Sequence, residues 1–490
     1  MRNVYSALVM LPVLCDPGVV AHHPVPPLDQ TGELVVLTRN SATTRYIDAQ
    51  GRYAGLEYDL VEMFARELGV KVRYLDRQPF YQLLPALGER RAHFAAAGVA
   101  ITPARLNDFR FGPAYQLVQP VLAYNTDNPA PRDLRDVAGK RIEVVRGSGV
   151  SERLKQLRKH SPGLTWTEVA ENDSEGLLSR LSESKVDYVI TDSTVLDVGR
   201  NFYPNLGRAF SVGDQQPLAW AFPKEGDPEL YKRAQEFFMR ISYDGTLKQV
   251  LERYYGHVNR LNRLDIANFL ELRQTLLPHF RSMFKQAQEQ TGIDWRLIAA
   301  LGFQESHWDP LATSPTGVRG LMMLTSDTAD RMQLTDRLDP SQSIVAGALY
   351  LQELKESLSS RITEPDRTWL ALAAYNIGLG HLEDARILTQ RRGGNPDLWL
   401  DVKKVLPLLS RYEYYSTVKR GFCRGGEALS LTENIRNYFD ILARFEEPHS
   451  PSLYTALAGN GGARTDADDE ARPENRGGLR GPGANVRALK

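Results

Sequence analysis

The chain has 490 residues, which at about 150 residues per domain indicates roughly three domain-sized units and not one compact core. Hydrophobic residues make up 42% and charged residues 24%, as in ordinary globular proteins, so a wholly disordered chain and a polytopic membrane protein are both disfavoured. Sixty Lys and Arg balance sixty Asp and Glu, so no overall positive field favours nucleic acid, and two cysteines are too few for a disulfide framework.

The N-terminus predicts a short export signal. The apolar stretch from Val4 to Leu14 is too short to span a bilayer, and Val19-Val20-Ala21 offers a small residue where a signal peptidase would cut. We therefore expect a signal peptide over residues 1–21. Two alternatives stay open, a lipoprotein signal at Cys15, although the bulky Leu14 precedes it, and a frayed terminus or misplaced start.

The first half alternates between short β-branched runs and helix-length amphipathic stretches. The runs lie at 33–38, 71–75, 141–145 and 186–191, and an amphipathic stretch lies at 58–68. This alternation predicts parallel sheets covered by helices. Residues 115–125 predict an extended crossing to a second lobe, and residues 218–222 predict the return strand. Two lobes joined by crossing strands leave a cleft in which a small ligand can bind.

Four ordered motifs in this half resemble the periplasmic amino-acid-binding proteins of solute-binding family 3. They are DAQGRYAGLEYDLVEMFARELGV, ITPARLNDFRFGPAY, VDYVITDS and DGTLKQVLERYYG, and the resemblance covers about residues 29–256. It implies that Arg105 binds a ligand carboxylate and that Asp192 binds the amino group. The alternative is that both are surface charges or charges that stabilise the lobes. Gly98 and Ala100 stand where the family tends to have hydroxyl residues, which puts ordinary free amino acids in doubt. We expect a non-catalytic domain over 22–264 that binds an amino-acid or muropeptide effector.

The second half changes to helical spacing. Asp294 is a suitable N-cap for a helix that begins at Trp295, because its carboxylate can accept free backbone N–H groups. Ile298, Leu301 and Glu305 are spaced by three and four residues, so they share one helix face, and that face is apolar. Burial at its end is expected to raise the pKa of Glu305 and keep it protonated, as a proton donor requires. A structural carboxylate is the alternative.

The motifs that follow resemble the lytic transglycosylase domain related to goose-type lysozyme. They are QESHWDP, ATSPTG, GLMMLT and AAYNIG, and the resemblance covers about residues 264–446. It implies a mostly α, lysozyme-like domain over 265–448 that acts on peptidoglycan. It also implies that Glu305 protonates the β-1,4 glycosidic oxygen between N-acetylmuramic acid and N-acetylglucosamine and then takes the O6 proton. The product is then a 1,6-anhydromuramoyl sugar, formed without water. Asp309, Asp327 and Asp330 lie off the Glu305 face, so no second carboxylate stands out.

The same resemblance assigns supporting residues. Those expected to contact the saccharide are Ser314, Met322, Met323, Tyr375 and Asn376. Two positions depart from the family, since Met323 replaces a common Gln and Leu431 replaces a common Tyr. Either one of the tyrosines at 412, 414 and 415 substitutes, or Glu305 is assisted by fewer hydrogen bonds.

Other chemistry finds little support in the sequence. The histidines are dispersed without a metal-binding pair, and no glycine-rich phosphate loop follows a strand, so we expect no metal and no cofactor. Residues 449–490 are rich in Gly, Arg, Asp and Pro and predict a disordered tail. We expect peripheral attachment on the periplasmic side of the outer membrane. The alternative function is a periplasmic amino-acid or muropeptide receptor whose glycan-binding domain is degenerate.

Overall fold

A computed structural model describes residues 24–48, 51–76, 79–159, 163–170, 174–258, 261–314 and 317–450. The predicted signal peptide, Cys15, and nearly all of the predicted tail lie outside the described residues. The chain divides into two compact units, Met1–His449 and Ser450–Lys490, and the described residues other than Ser450 belong to the first.

The first half is an α/β structure, as predicted. Its strands are β1 (Glu33–Leu37), β2 (Tyr46–Ile47), β3 (Tyr53–Ala54), β4 (Lys71–Leu75), β5 (Phe94–Ala95), β6 (Phe109–Phe111), β7 (Gln116–Val118), β8 (Pro120–Asn125), β9 (Ile142–Val145), β10 (Thr167–Val169), β11 (Tyr188–Asp192), β12 (Leu206–Ser211), β13 (Gln216–Leu218) and β14 (Ala221–Pro223). Its helices are α1 (Leu28–Thr31), α2 (Leu56–Leu68), α3 (Phe80–Gly88), α4 (Gly149–Leu157), α5 (Ser174–Ser182), α6 (Ser193–Arg200), α7 (Pro228–Tyr243) and α8 (Thr246–Tyr255), with a 3-10 turn at Arg105–Asn107.

Two five-stranded sheets form two lobes. The first lobe contains the sheet of order β4-β1-β5-β14-β6, and the second contains the sheet of order β10-β9-β11-β8-β12. The crossings pair with each other through β7 and β13, where Val118 lies opposite Gln216. The predicted crossing at 115–125 and the predicted return strand are therefore confirmed.

The sheets are mixed, which differs from the predicted parallel arrangement. β1 runs parallel to β4 and β5, but β14 runs antiparallel to β5 and β6, and β8 runs antiparallel to β11 and β12. The physical reason lies in the crossings, because β8 and β14 enter their sheets directly from the other lobe. A strand that arrives without a crossover helix is free to take the antiparallel direction.

The second half is helical, as predicted. Its elements are α9 (Arg263–Thr275), α10 (Leu277–Thr291), α11 (Trp295–Ser306), α12 (Ser326–Arg331), α13 (Pro340–Ser357), α14 (Asp366–Ile377), α15 (Leu379–Arg391), α16 (Trp399–Val405), α17 (Tyr412–Tyr415) and α18 (Gly425–Phe445), with a 3-10 turn at Leu406–Ser410. We refer to α9 to α18 as the helical part. Every residue of α11 from Trp295 to Phe303 is buried, so α11 is the central helix of this part. In the ranges that the structure describes, no helix is both long and apolar enough to cross a bilayer.

Helix α18 joins the helical part to both lobes. Asn437 donates through Nδ2 to the carbonyl of His257, just after α8, at 2.7 Å. The same side chain accepts at Oδ1 from Asn201 Nδ2, just after α6 in the second lobe, at 3.2 Å. Arg444 forms an ion pair with Glu175 on α5. One helix of the helical part is thus anchored to both sides of the interlobe cleft.

A buried ionic network strengthens this junction. Glu433 on α18 is fully buried and accepts from Trp399 Nε1 at 2.6 Å and from Arg436 Nη1 at 3.1 Å. Lys403 pairs with Glu433 at 3.5 Å and also with Glu252 on α8. Burial raises the pKa of Glu433, but the charges of Arg436 and Lys403 outweigh it, so the pKa is lowered. The carboxylate is therefore held ionised inside the protein.

Candidate active site

Helix α11 positions Glu305 at its C-terminal end. Asp294 caps the helix by accepting from the backbone N–H of Arg296 at 2.9 Å, so the predicted cap is confirmed. Glu305 is partly buried and makes no hydrogen bond or ion pair with any residue of the described ranges. Burial raises the pKa of Glu305 from 4.5 to about 8. At neutral pH this carboxyl is therefore mostly protonated and can donate its proton.

The backbone beyond Glu305 is held in an unusual conformation. His307 has φ 55° and Trp308 has φ 61°, two consecutive residues other than glycine in the left-handed region. Such residues cost free energy and persist only where packing fixes them. The Trp308 indole is fully buried, donates to the Ala299 carbonyl at 2.8 Å, and packs against Phe303 with ring centroids 4.9 Å apart. Trp308 thus fixes the chain immediately after the candidate acid.

A tight loop at residues 320–324 is attached to the end of α11. Ser306 Oγ donates to the Leu321 carbonyl at 2.7 Å, which ties the residue after Glu305 to this loop. Gly302 leaves the required room, because a Cβ there would lie 2.8 Å from Leu321 Cδ2. Gly320 is required as well, since its φ is 79° and a Cβ would lie 1.8 Å from the Arg337 carbonyl oxygen.

The two methionines of this loop have different environments. The Met322 side chain is fully buried, and a Cβ added to Gly347 on α13 would lie 2.7 Å from Met322 Cβ. This differs from the predicted groove contact, because a thioether packed between helices has no surface left for a sugar. The Met322 backbone N–H donates to Ser343 Oγ at 3.2 Å, so the backbone is also fixed. Met323 is partly exposed, with φ 47°, and can still face a ligand.

Tyr375 and Asn376 lie in the last turn of α14. The Tyr375 hydroxyl donates to the Met322 carbonyl at 2.9 Å, and its ring lies 5.1 Å from that of Tyr350. Burial, and then the nearby charge of Glu305, raise the pKa of Tyr375 well above its usual range. Asn376 is exposed, and the helix ends at Ile377 with Gly378 as its cap. The phenol is therefore near Glu305 and permanently protonated.

Ser314 lies in the loop after α11, Leu431 lies on α18, and the three tyrosines at 412, 414 and 415 lie on α17. Ser314 N–H donates to the Val318 carbonyl at 3.0 Å, and Ser314 Oγ accepts from the Val318 N–H at 3.3 Å, which closes a loop on the path from α11. Leu431 is buried on α18. Among the described residues, neither Tyr412, Tyr414 nor Tyr415 hydrogen-bonds to Glu305, and Tyr412 is largely exposed. This favours the alternative in which Glu305 is assisted by fewer hydrogen bonds.

The surroundings of Glu305 lack a second acid in the part that the structure describes. Asp309, Asp327 and Asp330 are exposed. Burial is the cause of the Glu305 pKa shift, with no contribution from a neighbouring carboxylate. In the same residues, no group of three or more His, Cys, Asp or Glu side chains could hold a metal ion. The site can therefore move one proton through one carboxyl.

The other predicted site residues lie in the cleft between the lobes. Arg105 is buried in the first lobe, and Nε donates to Glu152 Oε1 of α4, in the second lobe, at 2.8 Å. Asp192 ends β11 in the second lobe. Burial raises the pKa of Asp192, and the charges of Arg39 and Arg105 oppose that rise. The structure thus brings the predicted pair into one cleft but gives Arg105 a carboxylate partner from the chain itself.

Sequence reasoning missed several residues that shape these sites. Trp308 lies within the QESHWDP motif, yet only its left-handed backbone and its hydrogen bond to the Ala299 carbonyl show that it fixes the chain after Glu305. Ser343 carries no sequence signal, because its role depends on the loop brought against α13. Glu152 carries no motif of its own, and only the pairing of its carboxylate with Arg105 shows that this residue of α4, the helix after β9, faces the cleft.

Comparison with known proteins matches both halves of the chain. Residues 282–397 match the family model of the Transglycosylase SLT domain, and residues 34–257 match that of bacterial extracellular solute-binding proteins, family 3. Both predicted resemblances are therefore confirmed.

Similar proteins cover most of the chain. Membrane-bound lytic murein transglycosylase F of Nitrosospira multiformis is 52% identical over 86% of this chain and 88% of that protein. The protein of the same name from Thiobacillus denitrificans is 46% identical over 88% of this chain and 92% of its own length. Among solved structures, an ancestral arginine-binding protein bound to arginine matches with 24% identity and a TM-score of 0.42, over 46% of this chain and 98% of that chain.

Proposed function

The chain belongs to the family of membrane-bound lytic murein transglycosylases F, and from this premise we propose that Glu305 is its catalytic acid and base. The proposed reaction cleaves the β-1,4 bond between N-acetylmuramic acid and N-acetylglucosamine in peptidoglycan. The observation that carries the proposal is the partly buried Glu305 carboxyl, whose pKa of about 8 keeps it protonated at neutral pH.

The proposed steps need one carboxyl only. Glu305 donates its proton to the glycosidic oxygen while the bond from that oxygen to the muramoyl anomeric carbon breaks. The resulting carboxylate then accepts the proton of the muramoyl O6 hydroxyl, whose oxygen bonds to the same carbon. The products are a 1,6-anhydromuramoyl end and a free N-acetylglucosamine hydroxyl, no water is consumed, and Glu305 regains its proton. An attack from within the same sugar gains from proximity, which is worth up to about 7 kcal/mol or more in ideal geometry.

Nearby groups support this assignment. Tyr375 lies close enough to Glu305 for the carboxylate charge to raise the pKa of the phenol. The Tyr375 hydroxyl donates to the Met322 carbonyl. We propose that Tyr375, Asn376 and the partly exposed Met323 contact the saccharide around the cleaved bond. Ser314 completes this set from the loop after α11. Met322 contributes through its backbone, because its side chain is enclosed.

The test is product analysis on purified sacculi. The protein should release 1,6-anhydro muropeptides, and Glu305→Gln should release none. Glu271→Gln, an exposed residue on α9, is the matched control and should behave as wild type. Reducing-end products, heavier by one water molecule, would refute the lyase chemistry. Full activity of Glu305→Gln would refute the assignment of the acid. Because the acid form is the active one, kcat/KM should fall as pH rises through about 8.

We further propose that the α/β half regulates the helical part. The support is that α18 contacts both lobes through Asn437 and also packs on α11, where the rings of Tyr438 and Phe303 lie 4.8 Å apart. Phe303 lies two residues before Glu305. A ligand that changes the separation of the lobes must therefore strain or release a helix that touches the catalytic one, and such coupling is reciprocal between the two sites.

This regulatory role is tested by turnover with and without a ligand for the cleft. A muropeptide or amino-acid effector should change the rate of anhydro-product release from sacculi. Asn437→Ala should reduce that change, because it removes one hydrogen bond between α18 and each lobe. The helical-part variant Ser430→Ala, on the outer side of the same helix, serves as the control. A rate that does not respond to any effector at saturation would refute regulation and leave the cleavage reaction standing.

We place the protein on the periplasmic side of the outer membrane, attached peripherally after export by the predicted signal at residues 1–21. The name of the relatives supports a membrane location. Cell fractionation should find the chain with the outer membrane, and an alkaline carbonate wash should release it. Incorporation of labelled palmitate, lost in Cys15→Ser, would show a lipid anchor in place of peripheral attachment.

A further inference from the structure

The interlobe cleft is nearly closed and contains a small polar cavity. The cavity has a volume of about 20 Å³ and is lined, among others, by Arg39, Ala100, Gly149, Asp192 and Gln216. A space of this size holds about one water molecule. One ammonium group can occupy such a space, and the rest of a ligand enters only when the lobes move apart.

Three of the five N–H donors of Arg105 already have partners within the chain. Arg105 Nε donates to Glu152 Oε1, Nη1 donates to the Ala100 carbonyl and Nη2 donates to the Gly147 carbonyl, each at 2.8 Å. Glu152 Oε2 in turn accepts from Thr102 Oγ1 at 2.6 Å. Arg105 is only 4% exposed, so little of its guanidinium remains for a ligand. A carboxylate of the chain itself thus pairs with the arginine that the family resemblance assigns to a ligand carboxylate.

Small residues allow the lobes to approach this closely. A Cβ added to Gly149 in the second lobe would lie 2.8 Å from Ala100 Cβ in the first and 2.7 Å from Gln216 Oε1. A side chain at Gly149 would therefore hold the lobes apart. The departure of Ala100 from the family pattern and the pairing of Arg105 with Glu152 thus belong to the same closed arrangement.

The cavity presents hydrogen-bond acceptors that have no donor. Gln216 Oε1 is buried without a partner, while Gln216 Nε2 donates to the Gly149 carbonyl at 3.3 Å and so fixes the orientation of the amide. Gln216 is 9% exposed. The Asp192 carboxylate has no hydrogen bond or ion pair with a residue of the described ranges. Buried acceptors without donors are costly, so a ligand group rich in donors gains by supplying them.

We propose that this cleft binds a primary ammonium group whose neighbouring carboxyl is absent or blocked as an amide. Asp192 supplies the opposite charge, and Gln216 Oε1 accepts a second N–H. Arg39, whose guanidinium lies 5.0 Å from the centroid of the Phe80 ring, is on the facing lobe, and its charge opposes the rise in the pKa of Asp192 that burial causes. This inference names the ligand class of the regulatory role proposed above and rests on that role only for its effect on turnover.

Opening of the cleft does not restore a carboxylate site. When the lobes part for ligand entry, Glu152 separates from Arg105, because the two residues belong to different lobes. Glu152 is tethered to α4 and returns on closure at an effective concentration on the order of millimolar. A free ligand carboxylate would have to displace it and then lie beside another negative charge. The competition from Glu152 therefore disfavours free α-amino acids relative to their amides.

The test is calorimetric titration of the full mature chain with matched pairs of small probes. Glycinamide and L-alaninamide should bind, glycine and L-alanine should bind at least about tenfold more weakly, and neutral N-acetyl-L-alaninamide should not bind. Asp192→Asn should weaken the amides by at least about tenfold. Glu152→Gln should improve the free acids relative to the amides. Asp214→Asn, an exposed carboxylate of the same module, is the control.

Several results would overturn the inference. Free acids that bind as tightly as their amides, or amides that do not bind at all, would each do so. So would an unchanged acid-to-amide ratio in Glu152→Gln. If Asp192→Asn lacks the circular dichroism spectrum of the folded protein, Gln216→Met gives the same test, because it removes an acceptor at similar volume. Amide binding that leaves anhydro-product release unchanged would refute regulation alone and leave the ligand class standing.

Discussion

Replacing Glu305 by glutamine should make the protein more stable at neutral pH. Burial raises the pKa of Glu305 from 4.5 to about 8, so at pH 7 the folded protein holds a proton that the unfolded chain has released. Each pH unit between 4.5 and 7 adds about 1.4 kcal/mol to the free-energy cost of that uptake, which gives about 3 kcal/mol. Glutamine has a similar shape and no proton to take up, so Glu305→Gln removes the cost.

The pH dependence of this gain is its signature. Below pH 4.5 both states of the wild type are protonated, so the gain is absent. It grows between pH 4.5 and about 8 and is constant above that range, because there the carboxyl is ionised in both states. For the helical part, whose size lies within about 150–250 residues, a change of about 3 kcal/mol in the free energy of unfolding corresponds to a rise in Tm of roughly 6–12 °C.

Calorimetric unfolding of both proteins from pH 4 to pH 9 measures the effect. The exposed variant Glu271→Gln should show no gain that depends on pH. Equal stability of Glu305→Gln and wild type at pH 7 would refute the argument, as would a gain of the same size at pH 4. A catalytic acid kept at the expense of stability is typical of active sites, where function and stability compete.

Three further outcomes follow from the same structure. Glu433→Gln should destabilise the protein by about 3–5 kcal/mol at pH 7, because it removes the buried carboxylate that pairs with both Arg436 and Lys403. The loss should shrink as pH falls below 4.5, and urea unfolding at several pH values would contradict this if the loss grew in acid. Tyr375→Phe should lower anhydro-product release and cost about 1 kcal/mol of stability, since the Met322 carbonyl loses its donor; unchanged turnover would remove Tyr375 from the site. Gly320→Ala should lower the free energy of unfolding by about 3 kcal/mol or more, because the added Cβ would overlap the Arg337 carbonyl oxygen. A Tm equal to that of the wild type would contradict the close packing of this loop.

Helix α11 shows how far local sequence can go. Its start at Trp295, its Asp294 cap and the raised pKa of Glu305 were all predictable, because capping and side-chain periodicity act within a few residues. The same holds for the crossing strands and for the change from strands to helices after the first half. The direction of β8 and β14 was not predictable, because strand pairing depends on a partner distant in sequence.

The two sites show where local reasoning ends. The predicted groove contact of Met322 failed because α13 leaves room at Gly347 and the side chain fills that room. Arg105 and Glu152 are 47 positions apart in sequence, and they pair only because the two lobes meet across the cleft. Neither contact can be predicted from a short segment of sequence, because the partners are distant along the chain.

The sequence by itself determined the order of the two halves, the families they resemble, and the single acid at the end of an apolar helix face. The tertiary structure decided which groups those residues meet. It brought Tyr375 and the 320–324 loop to the end of α11, anchored α18 to both lobes, and placed Glu152 against Arg105. The physical reason is that periodicity and capping are set by neighbours along the chain, whereas desolvation and hydrogen-bond pairing depend on every atom that folding brings near.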